Sequence, residues 1–283
     1  MSEKLSVRTA LIGLVAASGK TIDVIWDLCL PATKITPVLN QALQDVKQCR
    51  TTALVLYKAL SLLELAQLPF LERGMWIGVD GLVATLTETV LALSEIQTIC
   101  TALDHQRQAV ATEAPCDYNP GMIFLCSQIR WHNLSMTMMT SILKCPSEAD
   151  AQGTRVGLQL RIARLLASNT VACRRMRQLE DASGGVSVDR SWPPQYVLLT
   201  HYDYQLPQRP TPTTPPALTP YFGCTLARIP MLSSITLPVS THELVDGSEL
   251  YTSVYAQRVG RDIDGLLLCH TGQDEKRSLH GSC

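Results

Sequence analysis

Aromatic side chains are scarce in this chain. Phe, Trp and Tyr make up 5% of its 283 residues, and charged residues only 17%. A core built from it must rest on Leu, Ile, Val, Ala and Met. The net charge of −1 gives no field that recommends nucleic acid as a partner. No pair among the ten cysteines is spaced CxxC, and none stands beside a histidine at metal-ligand spacing, so no metal or zinc framework is predicted. The chain opens Met-Ser-Glu-Lys without a charged-then-apolar leader. Free thiols and no leader point to a reducing, cytoplasmic setting. Long apolar runs are also missing. Ala10–Gly19 spans ten residues between Arg8 and Lys20, short of the roughly 20 that a permanent membrane span needs.

Catalytic signatures are equally absent. No GxSxG occurs, and His242-Glu243 lacks the second histidine of a zinc-protease helix. Gly13 to Thr21 resembles a phosphate-binding loop, but five residues separate its glycines where four are needed, and it continues a helical stripe instead of following a strand. His201 and Asp203 are close in sequence, with no nucleophile motif around them. The expectation is a protein that is not an enzyme, with no catalytic, cofactor-binding or metal-binding residues.

What is present is helical periodicity. Leu11, Leu14 or Val15, Ser18, Ile22 and Ile25 mark one face of a first helix, from Leu5 to Cys29. From Pro37 onward, Leu39, Ala42, Val46, Cys49, Ala53, Leu56, Leu60 and Leu63 recur at alternating spacings of three and four, a coiled-coil-like seam. A third helix starts near Val79 and carries Leu82, Leu86, Val90, Leu93, Ile96, Cys100 and Leu103. A fourth runs from Met122 to Lys144, where Ile123, Leu134, Met138, Ile142 and Cys145 can share a face; its methionine cluster at 136, 138 and 139 reads as core filling, with an adaptable binding surface as the alternative. A fifth is capped by Ser147 and continues through Leu158, Ile162, Leu165, Asn169, Ala172, Met176 and Leu179, with Asn169 its one polar seam residue.

Composition changes after Ser183-Gly-Gly185. Ten of the 16 prolines lie beyond residue 190, six of them between Pro207 and Pro220. That stretch excludes helix and central strand and reads as an extended linker. Short alternating runs such as Ser234–Pro238 and Leu250–Val254 are too few to predict a second domain, and Gly272–Cys283 is polar. The predicted fold is therefore all-α, an antiparallel bundle of about five long helices over residues 1–183. A Pro-rich, largely irregular and poorly structured tail occupies 184–283.

Two surface features carry weak functional signals. Of six arginines between Arg155 and Arg177, Arg161, Arg164 and Arg175 fall within about 60° of each other on a continuous helix. The ordinary reading is a solvated face; the functional one is contact with an anionic surface. In the first helix, Leu11, Leu14, Val15 and Ile22 form an apolar face that would become membrane-active if released from the bundle.

A family resemblance adds to these readings. Met1-Ser-Glu-Lys-Leu-Ser-Val7, Gly13-Leu-Val, Ser18-Gly-Lys20, the Leu-rich second helix, Val79–Glu95 (VDGLVATLTETVLALSE) and Met136–Gln152 (MTMMTSILKCPSEADAQ) follow one another over residues 1–180. In that order they resemble the HeLo-like N-terminal domain of fungal STAND proteins, also described as the azaphilone pigments biosynthesis cluster protein L N-terminal domain. The resemblance implies an all-α, non-catalytic accessory or signalling domain linked to fungal secondary metabolism. It acts through a protein partner or self-association, with conditional membrane contact as an effector in cell-death signalling as the alternative. The nucleotide-binding module or ankyrin repeats of larger relatives have no counterpart after residue 183.

Overall fold

A computed structural model describes residues 4–29, 37–108, 119–182, 224–228, 231–244 and 247–265. The Pro207–Pro220 stretch, His201, Asp203, Trp192 and the polar C-terminus all lie outside them. Five long helices form the bundle: α1 (Val7–Cys29), α2 (Pro37–Glu64), α3 (Val79–Gln108), α4 (Asn119–Lys144) and α5 (Glu148–Ser168). α1 packs on α2 and α3, and α4 packs on α2, α3 and α5. The fold is all-α with an irregular C-terminal region.

The α2 seam takes its predicted place, whereas on α4 Ile123 and Leu134 are exposed and Ile129, Met136, Met139 and Leu143 are buried instead. Ala42, Val46, Cys49, Ala53, Leu56 and Leu60 of α2 are buried. α3 is buried nearly all round, because Val83, Thr85, Thr87 and Thr89 sit inside as well as the predicted stripe. Threonine is tolerated there because its hydroxyl can bond within its own helix: Thr85 donates to the Gly81 carbonyl at 2.7 Å and Thr89 to the Thr85 carbonyl at 2.6 Å. Met136 and Met139 are buried and Met138 packs against the core, as core filling requires.

One predicted helix is two. α5 begins as read, with Ser147 Oγ accepting the Asp150 N–H, but it stops at Ser168, and α6 (Thr170–Ala182) starts afresh. Asn169 makes the break. Its backbone is extended, and its Oδ1 accepts the Val171 and Ala172 N–H groups at 3.1 and 2.9 Å, capping α6. Its Nδ2 donates to Glu88 Oε2 on α3 at 2.6 Å. A seam asparagine is thus a cap residue tied to the bundle, and the helical phase resets there.

The irregular C-terminal region completes the bundle's core. Residues 224–228 lie along the entry to α3, where Val79 donates to the Cys224 carbonyl and Leu226 to the Ile77 carbonyl. Strand β1 (Lys4–Ser6) pairs antiparallel with β2 (Thr236–Ser240), and Val7 donates to the Ile235 carbonyl at 2.8 Å. Ile235, Leu237 and Val239 alternate inward from β2 and are buried. Leu226, Leu232, Leu244, Tyr251 and Ala256 join the same core. Residues 253–265 form a last helix, α7, against α1 and α2. A bundle cut at residue 183 would lose all of these side chains.

Candidate functional site

Two features of the described surface bring polar groups from distant parts of the chain together. The first is the strap, residues 231–244 and 247–265, laid over α1. Its anchor is Tyr251, 1% exposed, whose ring packs on Gly13 of α1 so tightly that a Cβ there would overlap it. Gly13 is thus a notch for an aromatic ring, and the helix runs unbroken through Gly13–Thr21. The Tyr251 hydroxyl is buried without a hydrogen-bond partner, and burial pushes its pKa up. Farther along, Asp264 receives Arg8 Nη2 at 2.7 Å and the Tyr57 hydroxyl at 3.1 Å. Gly260 comes close to Arg8, Ile12 and Tyr57 at the same place. An exposed pair, Lys20–Glu249 at 3.3 Å, closes the near end.

The predicted membrane-active face lies largely inside the core. Leu11 and Leu14 are fully buried, while Val15 and Ile22 are half-buried and packed against the core. α1 as a whole, 23 residues, is long and apolar enough to cross a membrane by length and composition, and more than half of its most apolar stretch is buried in the bundle. The helix is longer than the ten-residue run because Thr21, Ile22, Val24 and Ile25 extend the apolar character past Lys20.

The predicted arginine face is not one face. Because the chain breaks at Asn169, Arg175 no longer shares the phase of Arg161 and Arg164. Arg161 is held by α4: its guanidinium lies 3.7 Å over the Trp131 ring, Nη2 donates to the Trp131 carbonyl at 2.7 Å, and Nε donates to Ser135 Oγ at 3.3 Å. Arg164 sits 5.9 Å from the same ring. Trp76 likewise lies beside Arg73 and Arg155, and Trp26, about half exposed, beside Lys47. The described tryptophans serve as cation platforms at the surface, in addition to packing.

Arg175 belongs to the second feature, a cleft of about 400 Å³ between α6 and the β1–β2 ribbon. Its Nη1 binds Glu243 Oε2 at 2.5 Å and the Pro238 carbonyl at 3.3 Å. Glu243 is held from the other side by the Ser240 N–H at 3.0 Å. Burial raises the Glu243 pKa, but the Arg175 hydrogen bond, the Ser240 N–H and the charges of Arg175 and His242 outweigh it, leaving the carboxyl below its usual range. Lys4 and Arg174 line the same cleft.

Comparison with protein-family models, with curated proteins and with solved structures finds no match.

A larger cleft, about 590 Å³ between α2, α4 and α5, is lined mostly by hydroxyls bonded within their own helices. Thr51, Thr137, Thr140 and Thr154 each donate to the carbonyl four residues back. Among the described residues no three His, Cys, Asp or Glu side chains come together as a metal site. Sequence reasoning missed Tyr251, Asp264, Lys4 and Arg174. The alternation of Ile235, Leu237 and Val239 signalled a half-buried strand; nothing in the sequence pairs Lys4 with α6 or Tyr251 with Gly13.

Proposed function

We propose that this chain is a non-catalytic helical accessory or signalling protein that works through a protein partner or through self-association. The observation that supports this reading is the strap over α1. It joins β1 and α1 to residues 231–265 through the β1–β2 pairing, buried side chains from Leu232 to Ala256 and partly exposed ion pairs at its edge. Exposed pairs contribute little each, so the outer edge of the strap opens more readily than its buried side. A contact of that kind suits a module that is read or displaced by a partner. The resemblance to the HeLo-like family adds the setting: the cytoplasm of a fungus, beside the enzymes of azaphilone pigment formation. The test is deletion of the gene, scored by pigment output and profile, with affinity capture from the native organism by wild-type and Tyr251→Ala full-length protein. A partner whose capture changes with the strap, and an altered pigment profile, are expected. An unchanged profile removes the metabolic part of the reading, and no captured partner removes the rest.

A second reading, a membrane-acting effector, is favoured by the length and apolar character of α1. Vesicle leakage by the full chain carrying Tyr251→Ala and Asp264→Asn tests it. The 1–183 fragment does not serve, since it lacks part of the core. Leakage that rises when the strap is weakened supports this reading; none in either form argues against it.

A further inference from the structure

We infer that the cleft between α6 and the β1–β2 ribbon is a binding site for a phosphate group carried on a small organic molecule. Lys4 from β1 and Arg174 and Arg175 from α6 face one carboxylate, Glu243, within about 400 Å³. Glu243 is already engaged by Arg175 and by the Ser240 backbone. Lys4 and Arg174 have no ion-pair partner among the described residues. Two unneutralised cations thus converge on one recess of a chain whose net charge is −1. Behind them Glu88 accepts a hydrogen bond from Asn169, and burial raises its pKa against the lowering effect of Asn169 and Arg175.

Donor geometry points the same way. Arg175 Nε is buried with no hydrogen-bond partner, an orphaned donor beside the recess. The Gln178 side chain also lines it. A guanidinium pair, an ammonium and an amide together suit an oxyanion with three terminal oxygens better than a carboxylate with two. The volume lies within the roughly 300–1,000 Å³ of small-molecule sites, more than a bare ion fills. Val171, Pro238 and Val239 supply an apolar wall for the group that carries the phosphate.

The position has a consequence. One wall is bundle and the other is strap, so a phosphate bound there links the two and stabilises the docked form by mass action. The proposal stands apart from the accessory reading, because it concerns a ligand and not a partner protein.

The test uses the full chain at low ionic strength, with inorganic phosphate, phenyl phosphate and vesicles containing phosphatidic acid as probes, read by calorimetry, vesicle sedimentation and thermal shift. The expected result is saturable binding of phenyl phosphate, tighter than inorganic phosphate, with a rise in melting temperature. Lys4→Gln with Arg174→Gln should weaken it at least about tenfold. Both side chains are exposed, so this variant should keep the melting temperature of the unliganded protein. Arg258→Gln with Arg261→Gln, exposed cations on α7, should leave binding unchanged. Vesicle binding lost in the Lys4/Arg174 variant alone would make a lipid headgroup the carrier. No saturable binding of any probe, or equal loss in both double variants, overturns the proposal.

Discussion

The Tyr251 ring lies against the bare Cα of Gly13, closing the C-terminal strap onto the first helix. Replacing glycine by alanine inside a helix ordinarily stabilises by about 1 kcal/mol. Here the sign should reverse. The added methyl meets the face of a fully buried ring, which has no empty space to enter. Gly13→Ala is expected to lower stability in chemical denaturation; a stabilised variant would show that the ring does not occupy the notch.

Tyr251 itself separates packing from polarity. Tyr251→Ala removes a buried ring and should cost about 3–5 kcal/mol. Tyr251→Phe keeps the ring and discards a hydroxyl that has no partner, so it should be neutral or stabilising by up to about 1 kcal/mol. Equal losses from the two substitutions would mean that the hydroxyl is bonded.

His132 makes stability depend on pH. The imidazole is buried on α4, its Nδ1 without a partner; burial, with Arg161 nearby, pushes its pKa from 6.5 down to about 4. Between those values the unfolded chain takes a proton that the folded protein refuses. Stability therefore falls as pH drops from about 6.5 to about 4, by on the order of 3 kcal/mol, and the loss is complete below that window. His132→Gln should flatten this part of the profile, measured as unfolding free energy against pH.

Much of the bundle is legible in the sequence because its helices obey one rule each. The three-four spacing of α2 fixes which face is buried, the stripe of α3 gives part of what that helix buries, and Ser147 announces the start of α5. Two things escape that reasoning. Asn169 fits the seam spacing of a continuous helix, and only its bonds to Glu88 and to the first turn of α6 make it a cap. Tyr251, Asp264 and Lys4 act through contacts with residues far away in sequence. Local periodicity carries no information about those, so the strap and the α6 cleft were out of reach.

Asn169 joins two jobs that substitution can measure. Asn169→Ala removes a helix cap, worth about 1 kcal/mol, and leaves Glu88 buried with neither oxygen bonded, which costs about 1–3 kcal/mol more. Glu88→Gln should act oppositely. Burial, partly offset by Asn169 and Arg175, raises the Glu88 pKa, so its contribution declines as pH rises through the ordinary glutamate range. The glutamine variant should be more stable than wild type at neutral pH and lose that advantage in acid. A double-mutant cycle between the two positions should show coupling; strict additivity would contradict the bond.

Thiol chemistry should report the same core. Burial pushes Cys49 and Cys100 up to about 12 and Cys126 up to about 11, so none forms thiolate at neutral pH. Alkylation of the native protein should spare these three and reach the half-buried Cys29, Cys145, Cys173 and Cys224 sooner. Mass spectrometry after brief labelling checks this. Prompt modification of Cys49 would contradict the packing of α1 on α2.

The central claim is that the C-terminal strap is part of the folded core and holds α1 in place. Hydrogen–deuterium exchange on the full chain, wild type beside Tyr251→Ala, tests it most directly. The account predicts protected amides in α7 and α1 of the wild type. In the variant both should lose protection together, while α3 and α4 keep theirs. Amides of 253–265 that exchange in the wild type at the rate of an unfolded chain would contradict it.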